Sequence, residues 1–151
     1  MIADREGREI RVEELARLVA AEVFGTADLS LRKATPFGGA AGASWRLDYA
    51  GDGGERSLFV KLPAECGARH ALFASRLREE FRISREVKMA FPETAALRTV
   101  APAAFVESVQ AYASWSAPGD SLEAVLRAAA RRLGGSLAPA ERPCRPAPEG
   151  L

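Results

Sequence analysis

The sequence predicts an α+β fold: a five-stranded antiparallel sheet with one helix packed against it, a leading N-terminal helix, and a further helix towards the C-terminus. Three observations carry this. Apolar residues recur at helical spacing from Val12 to Phe24 and again from Gly67 to Phe91. Between those segments the pattern switches to alternation, in ASWRLDYA (43–50) and SLFVKL (57–62). The glycine-rich breaks PFGGAAGA (36–43) and GDGG (51–54) stand where hairpins would turn.

Each element follows from its residues. In the leading helix, 11–24, Val12, Leu15, Val19 and Val23 share one face and Gly25 supplies the stop. In ASWRLDYA, Trp45, Leu47 and Tyr49 fall on one face, Ser44, Arg46 and Asp48 on the other. The chain then turns at GDGG, whose residues tolerate positive φ, into a strand with Leu58, Val60 and Leu62 on one face and Phe59 and Lys61 on the other. From Gly67 to Phe91, Phe73, Leu77 and Phe81 recur every four residues, followed by Ile83 and Val87. The change of phase near Arg82 predicts two successive helices or a bend, ended by Pro92. Residues 103–116 read as a strand pair turning near Glu107 and Ser108, and five strands are expected in all. After Pro118-Gly119, Leu122, Val125, Leu126 and Leu133 give 120–133 an apolar side, with Asp120 or Ser121 as N-cap and Gly134-Gly135 as terminator. One domain is thus expected over 1–135, with sheet and main helix in 29–117 and a hinge and helix in 118–135. The proline-rich remainder, 136–151, is expected to be a disordered tail.

Composition bounds the function. A chain of 151 residues can bury about 68–70% of its unfolded surface, enough for one core. With 48% hydrophobic and 27% charged residues the composition is that of an ordinary soluble domain, and no apolar run approaches the roughly 20 residues of a membrane span. A net charge of +1 argues against a nucleic-acid partner. The N-terminus MIADREGREI has no apolar core of a signal peptide, so a cytoplasmic location and no membrane partner are expected. Cys66 and Cys144 lack CxxC or Cys/His spacing, which gives neither a disulfide framework nor a zinc site.

The chemistry-bearing residues lie between 36 and 62. Glycines at 38, 39 and 42 let backbone N–H groups of a turn approach a polyphosphate closely, and Lys61 from the neighbouring strand can reach the same oxygens. Kinase-like folds hold ATP with such a pair. A strand lysine otherwise guards a sheet edge, and glycines between strands otherwise form a plain hairpin.

GGAAGASWRLDYAGDGG followed by SLFVKLP resembles the N-terminal lobe of the aminoglycoside phosphotransferase and choline/ecdysteroid kinase-like superfamily. SREVKMAF resembles the family's helix, whose RE motif supplies a glutamate, here Glu86. APAAFVES and VQAYASW resemble its fourth and fifth strands, and PGDSLEAVLRAA its hinge. The resemblance spans roughly residues 10 to 133. It implies ATP as cofactor, weakly bound where half of the adenine cleft is lacking, held by Gly38, Gly39, Gly42, Ser44, Lys61 and Glu86, with the Lys61 ammonium against the Glu86 carboxylate beneath the 38–44 turn. Only the RE motif prefers Glu86 to Glu79 and Glu80.

The resemblance also implies a second, C-terminal lobe carrying a His-x-Asp catalytic loop and a magnesium-binding aspartate. Neither motif is in this sequence: His70 is followed by Ala71 and Leu72, and the last aspartate is Asp120. No catalytic or metal residue is therefore assigned. Magnesium is expected only where a C-terminal lobe is supplied, and the expected partners are a separate catalytic lobe or a second copy of the chain. Two other readings stand beside this one: a non-catalytic module that holds a nucleotide or a protein, and an unrelated α+β domain in which glycine turn and lysine coincide.

Overall fold

The computed structural model describes residues 2–3, 6–26, 29–39, 42–63, 68–94 and 99–117, together with 126, 128, 129 and 131. Two short strands, β1 (Ile2–Ala3) and β2 (Glu9–Ile10), pair antiparallel ahead of α1 (Val12–Phe24). There follow β3 (Ser30–Gly39), β4 (Gly42–Gly51), β5 (Gly54–Lys61), α2 (Ala68–Ala90), β6 (Pro102–Val106) and β7 (Ala111–Trp115). The last five strands form one antiparallel sheet in the order β3-β4-β5-β7-β6. The α+β class, the five antiparallel strands and the two helices are as the sequence predicts. Residues 1–117 form one compact unit and 118–151 another. In the second, 126, 128, 129 and 131 are helical. The rest of the expected 120–133 helix, the hinge at Pro118-Gly119 and the 136–151 tail lie outside the described residues.

The core is built on one face of the sheet. Leu15, Ala16, Val19 and Ala20, one stripe of α1, are buried together with Leu47 and Tyr49 of β4, Leu58 and Val60 of β5, and Ala111 and Ala113 of β7. Sealing each Leu or Val from water contributes about 1.5–3 kcal/mol. The helix ends where Gly25 adopts φ 71° and donates its N–H to the Ala21 carbonyl at 3.0 Å. Tyr49 fixes α1 to the sheet: its hydroxyl donates to the Ala16 carbonyl at 2.8 Å, and burial pushes its phenol up. Phe24 closes that end edge-on to Tyr49 and Trp115, with ring centres 5.6 and 5.7 Å apart.

The β4–β5 hairpin turns at Asp52-Gly53 between the paired Gly51 and Gly54. At Gly54 φ is 94°, a conformation that a side chain would strain. Strand β3 is an edge, and it is blunted by a register shift between Leu31 and Lys33 and by Pro36, which has no N–H to offer.

Helix α2 is one uninterrupted helix of 23 residues, not two. The phase change at Arg82 is a break in apolarity rather than in the helix. The stripe of Phe73, Leu77 and Phe81 continues through half-buried Ser84 and Lys88, while Ile83 and Val87 are exposed. Arg82 bridges Glu79 and Glu86, one turn to either side, and supports the helix across that point. α2 packs on β6 and β7, where Phe81 meets the rings of Phe105 and Tyr112. Among the described residues, no helix is long and apolar enough to cross a membrane.

Candidate functional site

Residues directly opposite one another in an antiparallel ladder point to the same face. Ser44 of β4 faces Lys61 of β5, Phe37 of β3 faces Ser44, and Tyr112 of β7 faces Lys61. These side chains form a row across the sheet on the face away from α1. A second row, Thr35, Arg46 and Phe59, runs beside it, and a third joins Lys33, Asp48 and Ser57. Strict alternation in β4 and β5 thus sends Leu47, Tyr49, Leu58 and Val60 into the core and Ser44, Arg46, Phe59 and Lys61 to the other face.

The β3–β4 ladder runs up to the pair Gly39 and Gly42, with Gly38 opposite Ala43. Only residues 40 and 41, outside the described residues, lie between the strands. Most of the 38–44 segment is thus paired strand where the sequence predicts a glycine-rich turn. Gly42 is two residues from Ser44, so Lys61 stands at the glycine end of the sheet and on the same face as Ser44.

Lys61 pairs with Glu80 of α2, not with Glu86. The side chains of Lys61 and Glu80 are 49% and 43% exposed, so the pair sits at the rim of α2 rather than beneath it. Glu86 instead accepts from Arg82 with its side chain 62% exposed. The cause is helical geometry: at roughly 100° per residue, Glu80 adjoins the half-buried Phe81 on the β5 side, whereas Glu86 lies about 140° round in the other direction. The position of α2 is fixed from its opposite flank, where Arg78 makes a two-pronged ion pair with Glu107 in the β6–β7 turn and lays its guanidinium 4.6 Å from the Phe105 ring centre. The Lys61 ammonium also lies 6.0 Å from the Tyr112 ring centre.

Two features beside Lys61 are absent from the sequence reading. Phe37 and Phe59 meet edge-on with ring centres 5.3 Å apart, and Phe37 is 47% exposed. They form an aromatic surface on the Lys61 face. Next to it, Arg46 donates from Nε to Asp48 Oδ1 at 2.9 Å and from Nη2 to Ser57 Oγ at 3.4 Å, while Ser57 donates to the same Asp48 oxygen at 2.5 Å. Partial burial alone would raise the Asp48 carboxyl. The Ser57 hydroxyl and the Arg46 guanidinium, with Lys33 nearby, outweigh it and hold Asp48 below its ordinary value of 3.8.

The described face can thus offer donors, the ammonium groups of Lys61 and Lys33 and an aromatic surface to an anionic ring-bearing ligand. Gly38, Gly39, Gly42, Ser44 and Lys61 are gathered at one end of it, and Glu86 is not among them. Among the described residues, no group of three His, Cys, Asp or Glu could hold a metal ion. A separate groove of about 350 Å³, lined by His70, Ala71, Ala74, Ser75, Arg78 and Gln110, lies along the other flank of α2. Compared with family models, with curated proteins and with solved structures, the chain matches none.

Proposed function

We propose that the chain is the nucleotide-holding lobe of a small-molecule phosphotransferase of the aminoglycoside phosphotransferase-like kind, without catalysis of its own. One observation carries the reading: Lys61 stands beside Ser44 at the glycine end of the β3–β4 hairpin, with its ammonium held by a carboxylate from the helix that crosses between β5 and β6. A positioned lysine beside a glycine hairpin suits the α- and β-phosphates of ATP. The open face supplies the rest, because Phe37 and Phe59 give a purine ring something to lie against. Glu80 takes the positioning role that the RE motif would give to Glu86.

The residues fit ATP better than they fit magnesium. Phosphoryl transfer relies on a positioned base and on metal ligands, and Asp48 is committed to Arg46 and Ser57. A catalytic lobe would bring both and is the partner this reading calls for. The experiment is an equilibrium titration of the chain with ATP, in parallel with Lys61→Ala. Saturable binding that the substitution weakens at least tenfold is expected. Binding indifferent to Lys61, or no binding by a well-folded chain, would overturn the reading and leave a non-catalytic protein-binding module as the better account.

A further inference from the structure

The side-chain donors of Arg46 are divided between two edges of its guanidinium. Nε and Nη2 form one edge, and it is filled: Nε donates to Asp48 Oδ1 and Nη2 to Ser57 Oγ. A guanidinium carries five N–H groups in a planar fork. The second edge, Nη1 with the remaining hydrogen of Nη2, has no partner among the described residues. Asp48 is the more firmly ionised for this contact, and the two bonds lock the plane of the fork. The Arg46 side chain nonetheless stays 42% exposed, so the free edge is reachable from solvent.

Its surroundings say what could reach it. Arg46 stands opposite Phe59 in the ladder, one row from Lys61, with the Phe37–Phe59 surface between the two cations. A nucleotide whose phosphates lie at Lys61 and whose base lies on the phenylalanines would present the edge of that base to Arg46. A locked fork with two parallel N–H donors matches two acceptors side by side. Guanine presents such a pair in O6 and N7, whereas adenine offers N7 beside an amino group that is itself a donor. The same fork would meet the adenine amino group donor to donor.

We infer that Arg46, held by Asp48 and Ser57, reads the O6/N7 edge of a purine and gives this lobe a preference for guanine over adenine nucleotides. The inference rests on the nucleotide reading above and specifies the ligand of that same site. A good bidentate pair discriminates by roughly 5- to 150-fold, and the preference falls in that range.

Calorimetric titration of the full chain with GTP, ITP, 7-deaza-GTP and ATP tests it. GTP and ITP, which share O6 and N7, bind alike and tighter than ATP, whereas 7-deaza-GTP, without N7, falls towards ATP. Arg46→Met and Arg46→Lys, the second keeping the charge but losing the fork, both bring the GTP to ATP ratio close to one, with folding checked by circular dichroism. ATP binding as tightly as GTP would overturn the inference while leaving the nucleotide reading intact. So would an Arg46→Met change that weakens both equally, since the fork would then be gripping phosphate. If no nucleotide binds, or if binding ignores Lys61→Ala, the nucleotide reading fails and the inference falls with it.

Discussion

Replacing Glu80 and Glu86 one at a time by glutamine separates the register seen in the structure from the register the RE motif implies. The Lys61–Glu80 pair is about half exposed, so its effect on stability is small, on the order of 0.2–1 kcal/mol. Melting should shift by no more than a few degrees in either variant. Ligand affinity is the sharper readout. Releasing Lys61 from Glu80 means that nucleotide binding must order a long side chain, at a cost of about 0.5–1.5 kcal/mol. The lost carboxylate also relieves a repulsion with the phosphates, which in solvent amounts to less than about 1 kcal/mol. The first effect wins by a narrow margin, so Glu80→Gln should weaken nucleotide binding about 2- to 5-fold. Glu86→Gln should leave it unchanged, because among the described residues Glu86 pairs with Arg82, which keeps Glu79. Fluorescent-nucleotide titration at fixed ionic strength reads both. A larger loss from Glu86→Gln than from Glu80→Gln would falsify the assignment of Glu80 as the residue that positions Lys61.

Three further outcomes follow from the packing. Tyr49→Phe removes the hydroxyl that ties α1 to the sheet and should lower stability by about 1 kcal/mol in urea unfolding; no change would mean that the Ala16 contact contributes nothing net. Leu15→Ala opens a cavity in a fully buried position between α1 and the sheet and should cost about 2–5 kcal/mol, with a loss below 1 kcal/mol showing that the helix packs loosely. Asp48→Asn tests the polar row by pH. Because the folded carboxyl titrates below 3.8, its contribution is full above that value and is lost as the pH falls through the lower, folded one. The stability gap between the parent chain and Asp48→Asn should therefore be constant from pH 7 to about 5 and close below 3.8. A gap that widens in acid would reverse the sign of the argument.

Much of the fold is legible in the sequence because its signals are local. Val12 to Phe24 and Gly25 mark α1 and its end, and alternation around Leu47 and Leu58 sorts two strands onto their faces. Lys61 and Ser44 could be placed on the face opposite the core by the same counting. The partner of Lys61 could not, because a motif fixes a residue pair while helix packing fixes an angle. The half-buried run Phe73, Leu77 and Phe81 contained the angle, and counting from Phe81 favours Glu80 over Glu86. The continuity of α2 was hidden because Ser84 and Lys88 carry its half-buried stripe without being apolar. Ring contact between Phe37 and Phe59, two strands apart, depends on register, as does the Asp48–Ser57 bond across the β4–β5 ladder. Register is set by where a hairpin turns, and composition alone leaves that open to a shift of one or two residues.

Alternation in β5 has a consequence for how this chain could change over generations. Leu58 and Val60 are sealed from water, while Phe59 is half-buried and Lys61 is exposed on the other side. Neighbouring codons therefore answer to different demands: every second one to persistence of the fold, and the ones between to the chemistry of the open face. A substitution at Phe59 or Lys61 changes what the open face can offer while leaving the core stripe under α1 in place, and a repacked core can drift without altering that face. Variation can be sampled on one side of a sheet while the other side stands still, which makes this face an inexpensive place for new specificities to arise.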